Sequence, residues 1–522
     1  MAQDPLPFRA CEQITITAES AETAEKNPGN SRRALRALRF NVFAVILLIL
    51  AAGHPVAQQP APTRAVVQLQ RDIDAILAAP ALDRGFVGIV VRSLATDETV
   101  YTLNASRLMM PASTLKVVTL AAAAERLGWD HAYETRIVAD GAVDGGTLDG
   151  NLVIVGHGDP SLDRPVLDSW AAQIKLLGVA KVTGKVLADA RAFSGEGIGS
   201  GWSWDDLPYY YAAPIAAVQY RENAVGITVR PGRSPNAPVT YELMPAGITG
   251  LRIENRMTTG ARTAAPEFVA RRAANSATVV LEGVVPVGSP PMVRALSVHD
   301  PVRYLAAAFT EALLAAGIAL GGPPPLDASA DATHDYSGVT PLVTHRSAPL
   351  RVLARRLMEV SQNQYAETLI KTIGAHAGAP TFEGGLKAIE SVLASWGIAA
   401  DAAILRDGSG LSRYDYVTAE MLVQVMTRMY RDPAQRAPFF STLNVAGQSG
   451  TLEARMKNTP AMGNARAKDG AMANVRALCG LVNTADAEPL AFAILANNFA
   501  APGPMVTAAI DTIVARLAGF RR

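Results

Sequence analysis

Between residues 131 and 339 the chain is a succession of short β-prone runs broken by Gly/Asp turns: "TLDGNLVIVGHGDPSL", "KVTGKVLADARAF", "NAVGITVRPG" and "ATVVLEGVVPVG". The flanks have a different texture. Before the block, "PAPTRAVVQLQRDIDAILAAPAL" has apolar residues at helical spacing. "GFVGIVVRSL" and "ETVYTLN" then form a predicted hairpin turning at Ala95, Thr96 and Asp97. "PASTLKVVTLAAAAERLG" is a helix opened by Pro111 and closed by Gly128. After the block, whose far edge is the linker "GGPPPLDASADATHD", helical texture returns in "APLRVLARRLMEVSQNQYAETLIKTIGA". A strand pair, "VRALCGLVN" and "PLAFAILANN", and a last helix end the chain. Strands and helices on both sides therefore rejoin into one α+β unit, and the β-rich block is an insertion within it. The expected division is an N-terminal extension and signal over 1–57, a first part over 64–130, the insertion over 131–339 and a second part over 340–522.

The 522 residues are 49% hydrophobic and 18% charged, enough to bury a large core, and the net charge of +1 provides no basic footprint for nucleic acid. The N-terminus reads as an export signal: the arginine-rich "SRRALRALRF", the short apolar "NVFAVILLILAAG" and the small-residue exit "HPVAQQPAPT". The expected location is therefore the periplasm, with cleavage near Ala57. The alternative is an uncleaved segment, which would be the only membrane contact. Of the two cysteines, Cys11 falls in that leader and Cys479 is left as a buried thiol, so no disulfide is expected. The seven histidines form no metal-ligand cluster, His157 between two glycines reads as a loop residue, and no cofactor is called for.

Three short motifs carry chemistry. Ser113 and Lys116 are three apart at a helix start, so the amine can reach the hydroxyl, and a lysine whose pKa is lowered by burial can activate a serine. Helix-terminal N–H groups at that position favour developing negative charge. Read alone, the pair is a weak signal, and an N-cap beside a solvated lysine is the better reading of it. Ser361 and Asn363 lie between two helical stretches, where a hydroxyl and an amide can relay a proton and grip a peptide, or simply cap a helix. Lys468-Asp469-Gly470 opens a buried strand, with a fixed charge and a glycine that admits a substrate backbone, or serves as strand-start punctuation.

In this order and context, these motifs resemble those of the D-alanyl-D-alanine carboxypeptidase/endopeptidase family, the class C low-molecular-mass penicillin-binding proteins (peptidase family S13). The resemblance runs from about residue 70 to the C-terminus. It rests on "MMPASTLKVVTLAAA", "LVIVGHGDPSL", "GWSWDDLPYYYAAPIAAV", "SQNQYAETLIKTIG", "DGSGLSRYDYVTAEML" and "VAGQSGTLEARMKNTPAMGNARAKDG". It implies a β-lactamase/transpeptidase-like fold: a five-stranded antiparallel sheet flanked by helices beside a helical subdomain, with the insertion split into two small, mostly β domains. It implies Ser113 as acylated nucleophile, Lys116 as its base, Ser361 as proton relay to the leaving amine and Asn363 as a grip on the substrate backbone. Lys468 would supply charge and keep Lys116 neutral. The N–H groups of Ser113 and Ala471 would form an oxyanion hole, each donor worth about 3 kcal/mol. The implied partners are peptidoglycan stem peptides and cross-links, with β-lactams as weak ligands.

The chain departs from that pattern at one point. The family's Lys-Thr-Gly-Thr is Lys468-Asp469-Gly470-Ala471 here, so both hydroxyls facing a substrate's terminal carboxylate are gone and one has become a carboxylate. Like charges at that range repel by roughly a few kcal/mol, unless Asp469 pairs with Lys468 or Arg466, points away, or meets an amine or amide of a cross-link. Three readings follow: a periplasmic serine D-Ala-D-Ala carboxypeptidase/endopeptidase, a murein-binding scaffold that kept the fold, and a β-lactamase, for which no dedicated deacylation glutamate is evident.

Overall fold

The computed structural model describes residues 63–273 and 276–522. The signal expected over 1–57, with Cys11, lies outside the described residues. The central sheet is antiparallel and has the strand order Asn444–Val445, Arg466–Met472, Val475–Asn483, Pro489–Asn497, Phe86–Ser93, Thr99–Leu103. It therefore has six strands rather than the expected five. The extra one is the two-residue edge strand Asn444–Val445, too short to leave a periodic signature in sequence. The early hairpin joins the late one through a ladder running from Phe86↔Asn497 to Ser93↔Leu490.

Alternation along Pro489–Asn497 explains why this strand reads as an unbroken apolar run. Leu490, Phe492, Ile494 and Ala496 face a layer made by the helices Arg64–Leu77 and Gly503–Ala518. Ala491, Ala493 and Leu495 face the opposite layer, which contains the helices Leu115–Leu127, Asn363–His376 and Ala419–Arg431. A strand covered on both faces needs apolar side chains on both, and each large one contributes about 1.5–3 kcal/mol by burial. The small alanines face the second layer, where helices lie close to the sheet. Leu115–Leu127 is apolar on every side, and all its residues from Leu115 to Ala124 are buried. A helix of that kind sits in the middle of a core, so Lys116 is carried away from water by its neighbours.

The inserted segment contains a mixed sheet built around the long hairpin Glu134–Asp144 and Thr147–Gly156. This sheet is covered by two helices, Arg164–Leu176 and Pro301–Ala315. A second β unit comprises a three-stranded sheet centred on Ala224–Arg230 and a four-stranded one centred on Thr278–Pro286. The first unit is thus α/β rather than mostly β. Its helices lie between strand-rich runs: Arg164–Leu176 buries a single face, and Pro301–Ala315 is buried along most of its length and carries little helical period. The boundary also shifts: Val343–Arg346, beyond the linker, pairs antiparallel with Glu134–Asp144, so the chain enters and leaves this sheet side by side.

Candidate active site

The turn before the buried helix is a single 3₁₀ turn, Ala112–Thr114, with Ala112 at φ 46°. Two glycines make room for it. A Cβ on Gly410 would collide with the Ala112 carbonyl, and one on Gly470 would sit 3.0 Å from the Ser113 nitrogen. Ser113 is thereby presented at the mouth of a cleft of about 530 Å³ that is also lined by Ser361, Asn363, Thr451, Asp469 and Ala471. The inserted segment supplies part of the opposite wall through Asp205, Asp206, Tyr210 and Tyr211.

Lys116 is fully buried. Its Nζ lies 2.8 Å from Ser113 Oγ, 2.7 Å from Asn363 Oδ1 and 2.9 Å from the Ser409 carbonyl. Two of these three neighbours are carbonyl oxygens, which only accept. A neutral amine must therefore give its two N–H bonds to Asn363 and Ser409 and turn its lone pair toward the Ser113 hydroxyl, which donates. Burial, and next the Lys468 charge, push the Lys116 amine down to about 7, against the opposing pull of Glu367, Asp407 and Asp469. The amine is thus both positioned and poised for proton abstraction near neutrality. The Asn363 amide nitrogen donates to the Tyr211 carbonyl at 2.8 Å, tying this residue to the inserted segment. Ser361 stands in the left-handed region at φ 59° between the helices Leu350–Glu359 and Asn363–His376. Backbone strain of this kind collects at functional sites. Ser361 borders the cleft but is not among the hydrogen-bond partners of Lys116.

Lys468 is also fully buried, and its Nζ donates to the Asp469 carbonyl at 2.6 Å and to Asp469 Oδ1 at 2.8 Å. Asp469 also accepts from Thr451 Oγ1 at 2.5 Å, and its other oxygen lies 3.9 Å from Arg455. Although burial opposes it, the Lys468 charge and the Lys468 and Thr451 hydrogen bonds hold the Asp469 carboxyl well below the usual carboxylate range. Of the pairings considered from sequence, the one with Lys468 is present. Arg466 is exposed and takes no part in it. The strand's register sets what its edge offers. Met472↔Val475 closes the hairpin, so 468 and 470 exchange bonds with Val475–Asn483, whereas 469 and 471 turn their N–H and C=O groups to the other edge. In the same phase, Ala465 accepts there from Ala446 N at 2.9 Å. Asn444–Val445 pairs only with Ala467 and Arg466, leaving the edge at 469 and 471 open toward the cleft. The Ala471 N–H therefore faces the same space as Ser113.

Sequence reading missed the group that braces Lys116. Glu367, fully buried, accepts from the N–H groups of Gly408 and Ser409 at 2.8 Å each, fixing the carbonyl that Lys116 contacts. Burial and the neighbouring Asp407 raise its pKa. Asp407 accepts from Gly410 N, Ser412 N and the Trp202 indole. A signal was present: Glu367 is four residues after Asn363, on the same helical face. Among the described residues no cluster could hold a metal ion. Cys479 is buried and unpaired, its thiol pushed up to about 12 by burial.

The model of the D-Ala-D-Ala carboxypeptidase 3 (S13) family matches residues 69–517. The D-alanyl-D-alanine carboxypeptidase of an Actinomadura species is 34% identical over 467 residues, covering 87% of this chain and 85% of that protein. The D-alanyl-D-alanine carboxypeptidase DacB of Haemophilus influenzae is 27% identical over 423 residues, covering 79% and 85%. The crystal structure of penicillin binding protein 4 from Haemophilus influenzae superposes with a TM-score of 0.74 at 25% identity, covering 84% of this chain and 98% of that one. The fold is thus the β-lactamase/transpeptidase-like one expected from the motifs, and the chain belongs to the D-Ala-D-Ala carboxypeptidase 3 (S13) family.

Proposed function

We propose that this protein is a serine-type D-alanyl-D-alanine peptidase that hydrolyses peptidoglycan peptides through an acyl-enzyme on Ser113. The observation that carries this reading is the Lys116 amine, 2.8 Å from the Ser113 hydroxyl, with both its N–H bonds committed to carbonyl oxygens. Lys116 takes the Ser113 proton as Oγ attacks the D-alanyl carbonyl. The resulting oxyanion is met by the N–H groups of Ser113 and Ala471. The C–N bond then breaks as Lys116 gives up that proton, relayed by the Ser361 hydroxyl at the cleft border, to the departing amine. Water, deprotonated by Lys116, attacks the ester carbonyl, and Ser113 recovers its proton as the ester C–O bond breaks. Asn363 fixes Lys116 through Oδ1 and keeps one amide hydrogen for the substrate backbone. β-Lactams, which present a strained amide to the same hydroxyl, are proposed as slow acylating ligands.

The scaffold reading leaves a buried lysine with a lowered pKa aimed at a serine without a purpose, and the β-lactamase reading has no observation in its favour. We propose that the protein works outside the cytoplasm, in the periplasm, on the strength of the arginine-rich and apolar leader. The test is digestion of purified muropeptides followed by mass spectrometry. Wild-type protein is expected to release D-alanine or to open D-alanyl cross-links, and Ser113→Ala is expected to abolish both. Equal product from the Ser113→Ala variant overturns the proposal.

A further inference from the structure

The corner of the cleft formed by Lys468, Thr451 and Arg455 has the composition of a carboxylate-binding site, and the protein fills it with a carboxylate of its own. Asp469 Oδ1 takes a charge-assisted bond from Lys468 Nζ at 2.8 Å and the hydroxyl hydrogen of Thr451 at 2.5 Å. Thr451 has no second hydrogen to give, and its oxygen already accepts from the buried Asn444 amide at 3.0 Å. Arg455 lies 3.9 Å from Asp469 Oδ2, while its Nη2 and Nε are bonded to Asp511. A free carboxylate arriving at this corner meets the Asp469 charge, with the Thr451 hydrogen and two of the three hydrogens of the fully buried Lys468 amine already taken by Asp469. Lys468 and Arg455 lie behind the lining residues Thr451 and Asp469, and the cation that does line the cleft, Arg413, lies in the field of Asp206 on the opposite wall. An uncharged carboxamide, or an amine, meets no such repulsion and can hydrogen-bond to the Asp469 carboxylate.

We infer that Asp469 is a specificity-determining residue that occupies the cleft's own anion site. The enzyme therefore prefers acyl-D-alanyl substrates whose leaving amine carries no free carboxylate, such as an amidated peptide or a side-chain amine in a cross-link. This inference rests on the serine-peptidase reading above.

Two acyl-D-alanyl-D-alanine peptides that differ only at the C-terminus, one a free acid and one a carboxamide, test it through kcat/KM at pH 7. The wild-type enzyme is expected to favour the carboxamide by about tenfold or more. Asp469→Thr and Asp469→Asn are each expected to raise turnover of the free acid by about tenfold and to narrow or reverse that preference. Wild-type preference for the free acid overturns the inference while leaving the peptidase reading intact, as does an acid-to-amide ratio unchanged in a variant whose thermal unfolding shows it to be folded. Hydrolysis of neither peptide by wild-type enzyme overturns the peptidase reading itself. The wild-type ratio reads the inference even where a variant fails to fold.

Discussion

Two lysines share the site, and their separate treatment by the surroundings decides its chemistry. Lys116 has carbonyl oxygens and a hydroxyl around its amine and no carboxylate in contact, and burial with the Lys468 charge brings it to about 7 against the more distant pull of Glu367, Asp407 and Asp469. Lys468 has a carboxylate in contact at 2.8 Å and supplies the fixed charge. A base is active when deprotonated, so kcat/KM is expected to rise with pH along a limb centred near 7. Lys468→Met removes the repulsion that lowers Lys116 and leaves the raising influence of Asp469 less compensated. Both changes stabilise the protonated amine. The limb is therefore expected to move up by about one pH unit, read from the pH dependence of kcat/KM. A limb that stays in place or moves down contradicts the assignment of Lys468 as the charge that holds Lys116 neutral.

The strand Arg466–Met472 and the turn Ala112–Thr114 face each other across a gap that only glycine at 470 permits. A Cβ there would sit 2.7 Å from the Pro111 carbonyl and 3.0 Å from the Ser113 nitrogen, all backbone atoms with little freedom to move. Gly470→Ala is expected to push the strand edge off the nucleophile turn and lower kcat/KM about a hundredfold with a native circular dichroism spectrum. Full activity in that variant contradicts the proposed edge-to-turn geometry. At this scale the sequence was informative where a motif coincided with an element boundary. The residues Pro111 and Gly128 delimit a helix by type alone, and the apolar run Pro489–Asn497 reads as a strand, which the structure shows covered on both faces. Long-range partners left no comparable trace. The Ser409 carbonyl and the Tyr211 carbonyl act through backbone atoms, which residue type does not reveal. The helices Arg164–Leu176 and Pro301–Ala315 were hidden among strands because the first has one 13-residue amphipathic face among turn-rich neighbours and the second is mostly apolar and buried, with little period to read.

Across the whole molecule the site depends on chain segments far apart in sequence. The N-terminal hairpin and the C-terminal strands form one sheet, and the inserted segment, entering and leaving on adjacent strands, braces the helical layer. Lys371 donates to the Ser194 and Glu196 carbonyls at 3.0 and 2.7 Å. Glu222 accepts from Arg356 at 2.8 Å and from Gln362 at 2.5 Å, the residue between Ser361 and Asn363. The insertion thus holds the second motif against the first, and the C-terminal strand brings the third. The central claim is that these segments converge to make one hydroxyl, that of Ser113, nucleophilic. Penicillin reads it directly, because ring opening leaves the amine tethered and lets the acyl-enzyme accumulate. After prolonged incubation with saturating penicillin, tryptic mapping by mass spectrometry is expected to find the adduct on the peptide spanning 108–116, at Ser113, and to lose it in Ser113→Ala. An adduct confined to any other residue, or one that persists in Ser113→Ala, contradicts the account.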